Sequence, residues 1–324
     1  MNISPFFVDK TNLECYNIRQ LGSSGIMIEI DSSFMRIDDA KLRGRKPKYK
    51  FKKGGQSAIF KYGAINYEIY AELIAEEIGA QMGIEMAHYN YAVYNGIKGV
   101  LTPVFLKEKY DELIVSSYSL NDSAQKICEE NSIYADLKGN TISNIVQAAC
   151  IYDERIDSEE LTFELMKRWV FYGLIMESDK NNTNISFIKG NHLPLRLSPD
   201  YDNSTMARMN EDINGFIESM RFGHQIYNYT DGVKCSLKLY DDSSDEFLPN
   251  FGEFVKKYPV YSKKIMTNVE VVDVALAIEL VEYSNQIEVP WNVKYWLEKA
   301  IESRKNDMIS IYNNVIASKS LIKK

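Results

Sequence analysis

The stretch YKFKKGGQSAIFKYG at residues 49–63 narrows the fold more than any other part of this chain. Two short strand-type runs flank a Gly-Gly pair. Such a pair closes a tight hairpin because glycine takes the positive φ angles of the turn. Residues 67–83, YEIYAELIAEEIGAQMG, then read as a helix, with Ile69, Leu73 and Ala80 at three- and four-residue spacing and Gly83 placed as C-cap. HYNYAVYNGIKGVLTPVFL reads as a second hairpin that turns at Asn95-Gly96, and residues 1–40 hold strand-like pieces such as IMIEI. A β-rich beginning built around a single helix is therefore expected.

The rest of the chain has the 3.6-residue period. Residues 141–151 and 158–177 read as helices. The second starts with Asp157 or Ser158 as N-cap and Glu159 and Glu160 in its first turn, and it carries Leu161, Leu165, Trp169, Tyr172 and Met176 on one face. A short hairpin follows, NISFI, KGNH, LPLRL, and further helices are predicted near 206–221, 246–257, 271–285 and 290–316. Residues 108–140 are polar and weakly patterned and read as a hinge or insertion. The predicted class is α+β: a bilobal, protein-kinase-like fold with a small β-rich lobe over 1–107, a hinge or insertion over 108–140 and a larger helical lobe over 141–324. A length of 324 residues suits two lobes better than one small core.

Composition excludes several classes. Hydrophobic content of 45% and aromatic content of 12% are values of a globular chain, not a disordered one. A net charge of −7 gives no reason to expect nucleic-acid or membrane binding, although KLRGRKPKYKFKK is a local basic patch. No run approaches the roughly 18 apolar residues of a membrane span, and MNISPFFVDK lacks a signal-peptide pattern. Cys15, Cys128, Cys150 and Cys235 are far apart and show no zinc spacing, so they read as reduced thiols of a cytoplasmic protein. His88, His192 and His224 are isolated and read as surface or packing residues.

Phosphoryl transfer needs a lysine on the nucleotide phosphates, an acid that holds it, oxygen ligands for magnesium and a carboxylate facing the acceptor hydroxyl. The chain offers each in order. Lys61 in AIFKYG, or Lys52 on the preceding strand, could be the lysine. Glu68 and Glu72 stand one turn apart on the following helix, and either could reach it. DKNNTN gives Asp179 and, five residues later, Asn184, between an amphipathic helix and a strand. LRLSPDYDNS offers Asp200 and Asp202, which alternate along an extended segment. The phosphate loop could be LRGRKPKYK, or LGSSGI with Gly22 and Gly25.

These motifs resemble the HipA-like serine/threonine kinases, especially short bacterial forms without the long N-terminal portion of the toxin HipA. The family's catalytic loop reads D-R-H-x-x-N, and its metal motif ends in Y-D; DKNNTN and SPDYDN are similar, which selects Asp202 over Asp200. The hairpin resemblance selects Lys61. AELIAEEIGAQMGI resembles the family helix and favours Glu72, with Glu68 as the alternative; RGRKPK resembles the phosphate loop and puts Gly44 and Lys48 near the phosphates. The resemblance covers about residues 40–260 and departs at two points. Lys180-Asn181 stands where the family has Arg-His, and Arg43 stands where some members carry a serine that is autophosphorylated.

The resemblance implies an ATP- and Mg²⁺-dependent cytoplasmic kinase acting on a protein Ser or Thr hydroxyl. In it Asp179 is the base, Lys61 paired with Glu72 holds the phosphates with Gly44 and Lys48, and Asn184 and Asp202 hold the metal. An antitoxin-like regulator is a conceivable partner; direct contact with nucleic acid or membrane is not expected. The alternatives are a nucleotide-binding pseudokinase that serves as a partner-binding regulator, and a small-molecule or lipid kinase on the same scaffold.

Overall fold

The computed structural model describes residues 27–37, 47–63, 67–106, 112–137, 139–240, 243 and 246–322. Its first sheet has six strands: β1 (Ile28–Glu29), β2 (Met35–Ile37), β3 (Lys48–Lys53), β4 (Gln56–Lys61), β5 (Asn90–Tyr94) and β6 (Ile97–Pro103), in the order β1-β5-β6-β4-β3-β2. All neighbours are antiparallel except the short β1, which runs parallel to β5. The two expected hairpins form. Gly54 and Gly55 take φ of +56° and +87° between β3 and β4, and Asn95 and Gly96 take +50° and +77° between β5 and β6. Gly99 lets β6 close on β4: a Cβ there would stand 2.5 Å from the Lys61 carbonyl oxygen.

Strand parity sorts the two faces of this sheet. Phe51, Ala58, Phe60 and Leu101 bury themselves in a small core on one face. Lys61, one residue past Phe60, points to the other face, against which helix α1 (Tyr67–Gln81) packs. Helix α1 is buried over most of its surface because it is shared. It touches β5 and β6 on one side and helix α9 (Val274–Asn285) on the other, and its Ile69, Leu73, Ile74 and Ile78 join the same core as Trp169 and Trp296. Polar bonds fix its C-terminal end to the helical part: Lys167 Nζ donates to Gly83 O at 2.9 Å, Asn268 Nδ2 to Met82 O at 3.0 Å, and Gln81 exchanges two bonds with Asp273.

After the sheet come β7 (Leu113–Ser116), α2 (Ser117–Glu130), α3 (Ile142–Tyr152), α4 (Ser158–Leu174), β8 (Ser186–Gly190) and β9 (Leu193–Leu197); β7, β8 and β9 form a second, antiparallel sheet. The chain ends in α5 (Ile213–Arg221), α6 (Tyr227–Thr230), α7 (Phe247–Lys257), α8 (Pro259–Glu270), α9 and the long α10 (Trp291–Ile322). No described helix is long and apolar enough to cross a membrane.

Four sequence expectations differ from this structure. The polar stretch 108–140 carries β7 and α2, with Ser116 capping α2 by accepting the Ser119 N–H. Helix α8 was not predicted; Pro259 begins it at N1 rather than breaking it. The helix expected over 158–177 stops at Leu174 because Met176 turns left-handed, at φ +55°. The helix expected over 206–221 is a short 3₁₀ turn, Met206–Arg208, and then α5. Ala207 and Arg208 take φ of +47° and +59°, and Asp212 starts the helix afresh by accepting the Gly215 N–H.

Candidate active site

Lys61 ends β4, and its ammonium donates to both Glu72 Oε1 and Asp202 Oδ1. Helix α1 brings Glu72 to the lysine, and the other Glu72 oxygen accepts the Asn203 N–H at 2.9 Å. Lys52 lies at the opposite end of the hairpin, paired in register with Ser57 beside the Gly-Gly turn. Glu72 is therefore the acid that meets Lys61, and it also fixes the backbone next to Asp202. Burial by itself would make Lys61 easier to deprotonate, but the two carboxylates overcome this and hold its pKa above the ordinary lysine value. Asp202 is the reciprocal case. Burial opposes its charge, yet Lys61 outweighs burial, with help from Lys180 and Lys48, so its carboxyl stays below the usual range. Lys48 stands directly opposite Lys61 in the β3–β4 ladder, which puts both ammonium groups on one sheet face. Gly44, Arg43 and the rival loop with Gly22 and Gly25 lie outside the described residues.

Asp202 takes a left-handed φ of +63°, and its N–H donates to the Tyr89 hydroxyl at 3.1 Å. Asp200, two residues earlier, is turned inward and is 3% exposed. It accepts from the Tyr172 hydroxyl, from Asn203 Nδ2 at 3.0 Å and from Lys180 Nζ at 3.1 Å, with Arg168 Nη1 at 3.9 Å. Its oxygens are committed to these partners, whereas Asp202 keeps one oxygen off Lys61.

The DKNNTN loop holds Asp179 in the open and everything around it in place. Asp179 is exposed; its N–H donates to Glu177 Oε1 at 2.9 Å, its carbonyl accepts from Asn184 Nδ2 at 2.6 Å and its Oδ1 accepts from Asn181 Nδ2 at 2.9 Å. The amide of Asn184 is thus spent on the loop, which leaves its carbonyl oxygen as the hard donor atom. Asn181 and Thr183 make the local turn their residue types suggest, with Asn181 Oδ1 accepting the Thr183 N–H. Lys180, at the first departure from the D-R-H pattern, is wholly buried; it donates to Asp200 and to the Tyr201 carbonyl. That lysine ties the Asp179 loop to the Asp202 segment, so the substitution preserves a connection between them.

Glu177 and the Lys180–Asp200 pair are the parts sequence reasoning passed over. Glu177 is 1% exposed and accepts from the backbone and hydroxyl of Thr205 as well as from Asp179. Burial pushes its carboxyl from the ordinary 4.5 up to about 7, against the pull of Lys180 and its hydrogen bonds. The folded chain therefore keeps a proton that the unfolded chain loses between these values. The stability this group contributes is complete below 4.5 and is lost as pH rises through about 7, an amount on the order of 3 kcal/mol. Lys61 and Asp202 titrate outside this window. The melting temperature should fall between about pH 5 and about pH 8, and Glu177→Gln, with no proton to lose, should flatten the fall. Parallel curves for the two proteins would refute the assignment.

Among the described residues no cluster of three or more His, Cys, Asp or Glu could hold a metal on protein ligands alone. A cation between Asn184 and Asp202 would need phosphate and water oxygens to complete its shell, as magnesium in nucleotide sites commonly does.

No protein-family model matches the sequence, and no curated protein matches it. Solved structures do. The chain is similar to the Helicobacter pylori proinflammatory kinase CtkA at a TM-score of 0.72 and 12% identity, over 90% of this chain and 99% of that one. It is also similar to HipA of Shewanella oneidensis MR-1, solved with HipB and operator DNA, at a TM-score of 0.51 and 13% identity, over 96% of this chain and 80% of that one. With its curled sheet, the shared helix α1 and the helical second part, the chain has the bilobal fold of these two structures.

Proposed function

We propose that this protein is an ATP- and Mg²⁺-dependent phosphotransferase acting on a Ser or Thr hydroxyl of a protein in the cytoplasm. The observation that carries the reading is Lys61 bonded at once to Glu72 and Asp202, with Asp179 and Asn184 tied to the same segment through Lys180 and Glu177. Lys61, oriented by Glu72, meets the α- and β-phosphates, and Lys48 and the loop containing Gly44 add to their binding. Asn184 and Asp202 would hold the metal through oxygen. Magnesium held there would offset the charge that develops on the phosphate oxygens. Asp179, exposed and fixed at its N–H, its carbonyl and its side chain, orients the acceptor hydroxyl and takes its proton. An antitoxin-like protein regulator belongs to the same reading, since the similar Shewanella HipA is part of a toxin–antitoxin system with HipB.

The test is transfer of label from γ-labelled ATP, with magnesium, to proteins of a cell lysate. Wild type should label discrete proteins, and Asp179→Ala should lower the rate by about 10²–10⁴-fold, the usual worth of a general base. A wild type that transfers no label, or an Asp179→Ala protein that matches it, would overturn the reading.

A further inference from the structure

We propose that Glu177 is the positioning residue of the Asp179 loop, fixing the Asp179 backbone to the chain that follows Asp202. Its effect on catalysis rests on the phosphotransfer reading above; its geometry does not. Three donors converge on one buried carboxylate: the Asp179 N–H at 2.9 Å and the Thr205 hydroxyl on Oε1, and the Thr205 N–H at 3.1 Å on Oε2. Thr205 lies three residues beyond Asp202, so this one side chain spans the two segments that carry the proposed base and metal ligand.

The ionised form of this carboxyl meets all three donors. It accepts at both oxygens and donates nothing, whereas a glutamine would bring an NH₂ group against the Thr205 N–H. Alanine would leave two backbone N–H groups without an acceptor. The surroundings show two strands of chain fastened side by side. Ala207 N–H donates to Ile175 O at 2.8 Å, and the Ser178 and Thr205 hydroxyls lie 3.5 Å apart. Met176 and Asp202, on the two segments, are both held at positive φ. Lys180 fastens the loop on the far side of Asp179, so Asp179 sits between two ties. Its carbonyl and carboxylate are held by residues of its own loop; its N–H is the point anchored to the chain before it. Misplacing a reacting group by about 1 Å can cost roughly 10²-fold in rate.

The test compares wild type, Glu177→Ala and Thr205→Val in the 324-residue chain. Hydrogen exchange at the Asp179 amide should be about tenfold faster or more in Glu177→Ala, the scale of one lost hydrogen bond. With Mg-ATP and the labelled substrate proteins, kcat should fall roughly 10–100-fold while the KM for ATP stays within about twofold, because Lys61 and Glu72 are untouched. Thr205→Val removes one donor of three and should lower kcat less. Unchanged exchange at Asp179 overturns the inference whether or not the chain transfers phosphate. A rise in the KM for ATP that accounts for the whole loss also overturns it, since the defect would then lie in nucleotide binding. Faster exchange in Glu177→Ala together with an inactive wild type supports the positioning role and sinks only the phosphotransfer reading.

Discussion

Asp202→Ala should abolish phosphate transfer from ATP and leave the fold intact. On the proposed reading Asp202 is the only carboxylate of the metal pair, and removing such an electrostatic stabiliser costs at least about 10²–10³-fold. The fold should survive because each group Asp202 touches keeps another partner. Lys61 retains Glu72, so no buried charge is stranded, and the bond from residue 202 to the Tyr89 hydroxyl comes from the backbone. Asp202 sits in a left-handed conformation that aspartate adopts more readily than alanine, so the variant should lose some stability without unfolding. The measurements are label transfer, the circular dichroism spectrum, and the shift in melting temperature on adding ATP with and without magnesium. The shift produced by magnesium should vanish in the variant. Transfer equal to wild type would remove Asp202 from the site and with it the choice of Asp202 over Asp200.

The comparison of these two aspartates shows how much of the site the sequence holds. Both alternate along LRLSPDYDNS, and composition offers no reason to prefer either. The Y-D resemblance selects Asp202, and the structure gives the two residues different lives: Asp202 faces Lys61, and Asp200 is surrounded by Lys180, Tyr172 and Asn203. That surrounding is not legible in one chain read end to end. Lys180 lies 20 positions from Asp200 and reads as one more polar residue of a turn. Glu177 likewise reads as the polar end of a helix until Thr205, 28 positions away, closes on it. What is legible is local: the glycine and Asn-Gly turns, the amphipathic face of α4 with its Asp157 cap, and the order of strands and helices. Local signals also mislead where they are weak. Helix α2 buries Leu120, Ala124 and Cys128 at four-residue spacing, but Ser, Asn, Asp, Gln and Lys fill the places between, and the stretch reads as a polar linker. Helix α8 buries Ile265, Met266 and Val269, and Pro259 occupies its first turn, where its missing N–H costs nothing.

Lys180→Met should be among the most destabilising single substitutions in this protein, at about 3–5 kcal/mol, the cost of breaking a buried ion pair by removing one partner. Lys180 and Asp200 are 0% and 3% exposed. Burial would raise the Asp200 pKa, but Lys180 and then Arg168 hold it below the usual carboxylate range, so the aspartate is charged in the native protein. Methionine fills nearly the same volume as the lysine stem, so packing changes little and the loss is electrostatic. It strips Asp200 of its closest cation, leaving Arg168 Nη1 at 3.9 Å, and removes the donor to the Tyr201 carbonyl. The second substitution separates this cause from simple damage. Lys180→Met with Asp200→Asn removes the stranded charge while keeping an oxygen for Tyr172, so the double variant should recover a large part of the loss, with a coupling of about 1–3 kcal/mol in the cycle. Urea unfolding of the four proteins measures it, provided the m-value is unchanged. A loss below about 1 kcal/mol for Lys180→Met, the range of exposed pairs, would show that this pair does not hold the two loops together. A double variant no more stable than Lys180→Met alone would show that the charge on Asp200 is not the reason for the loss. If both results come out as expected, the lysine that departs from the family's loop pattern is one half of a pair whose other half, Asp200, was set aside as the rival metal ligand. The same two positions then account for the departure and for the choice of Asp202.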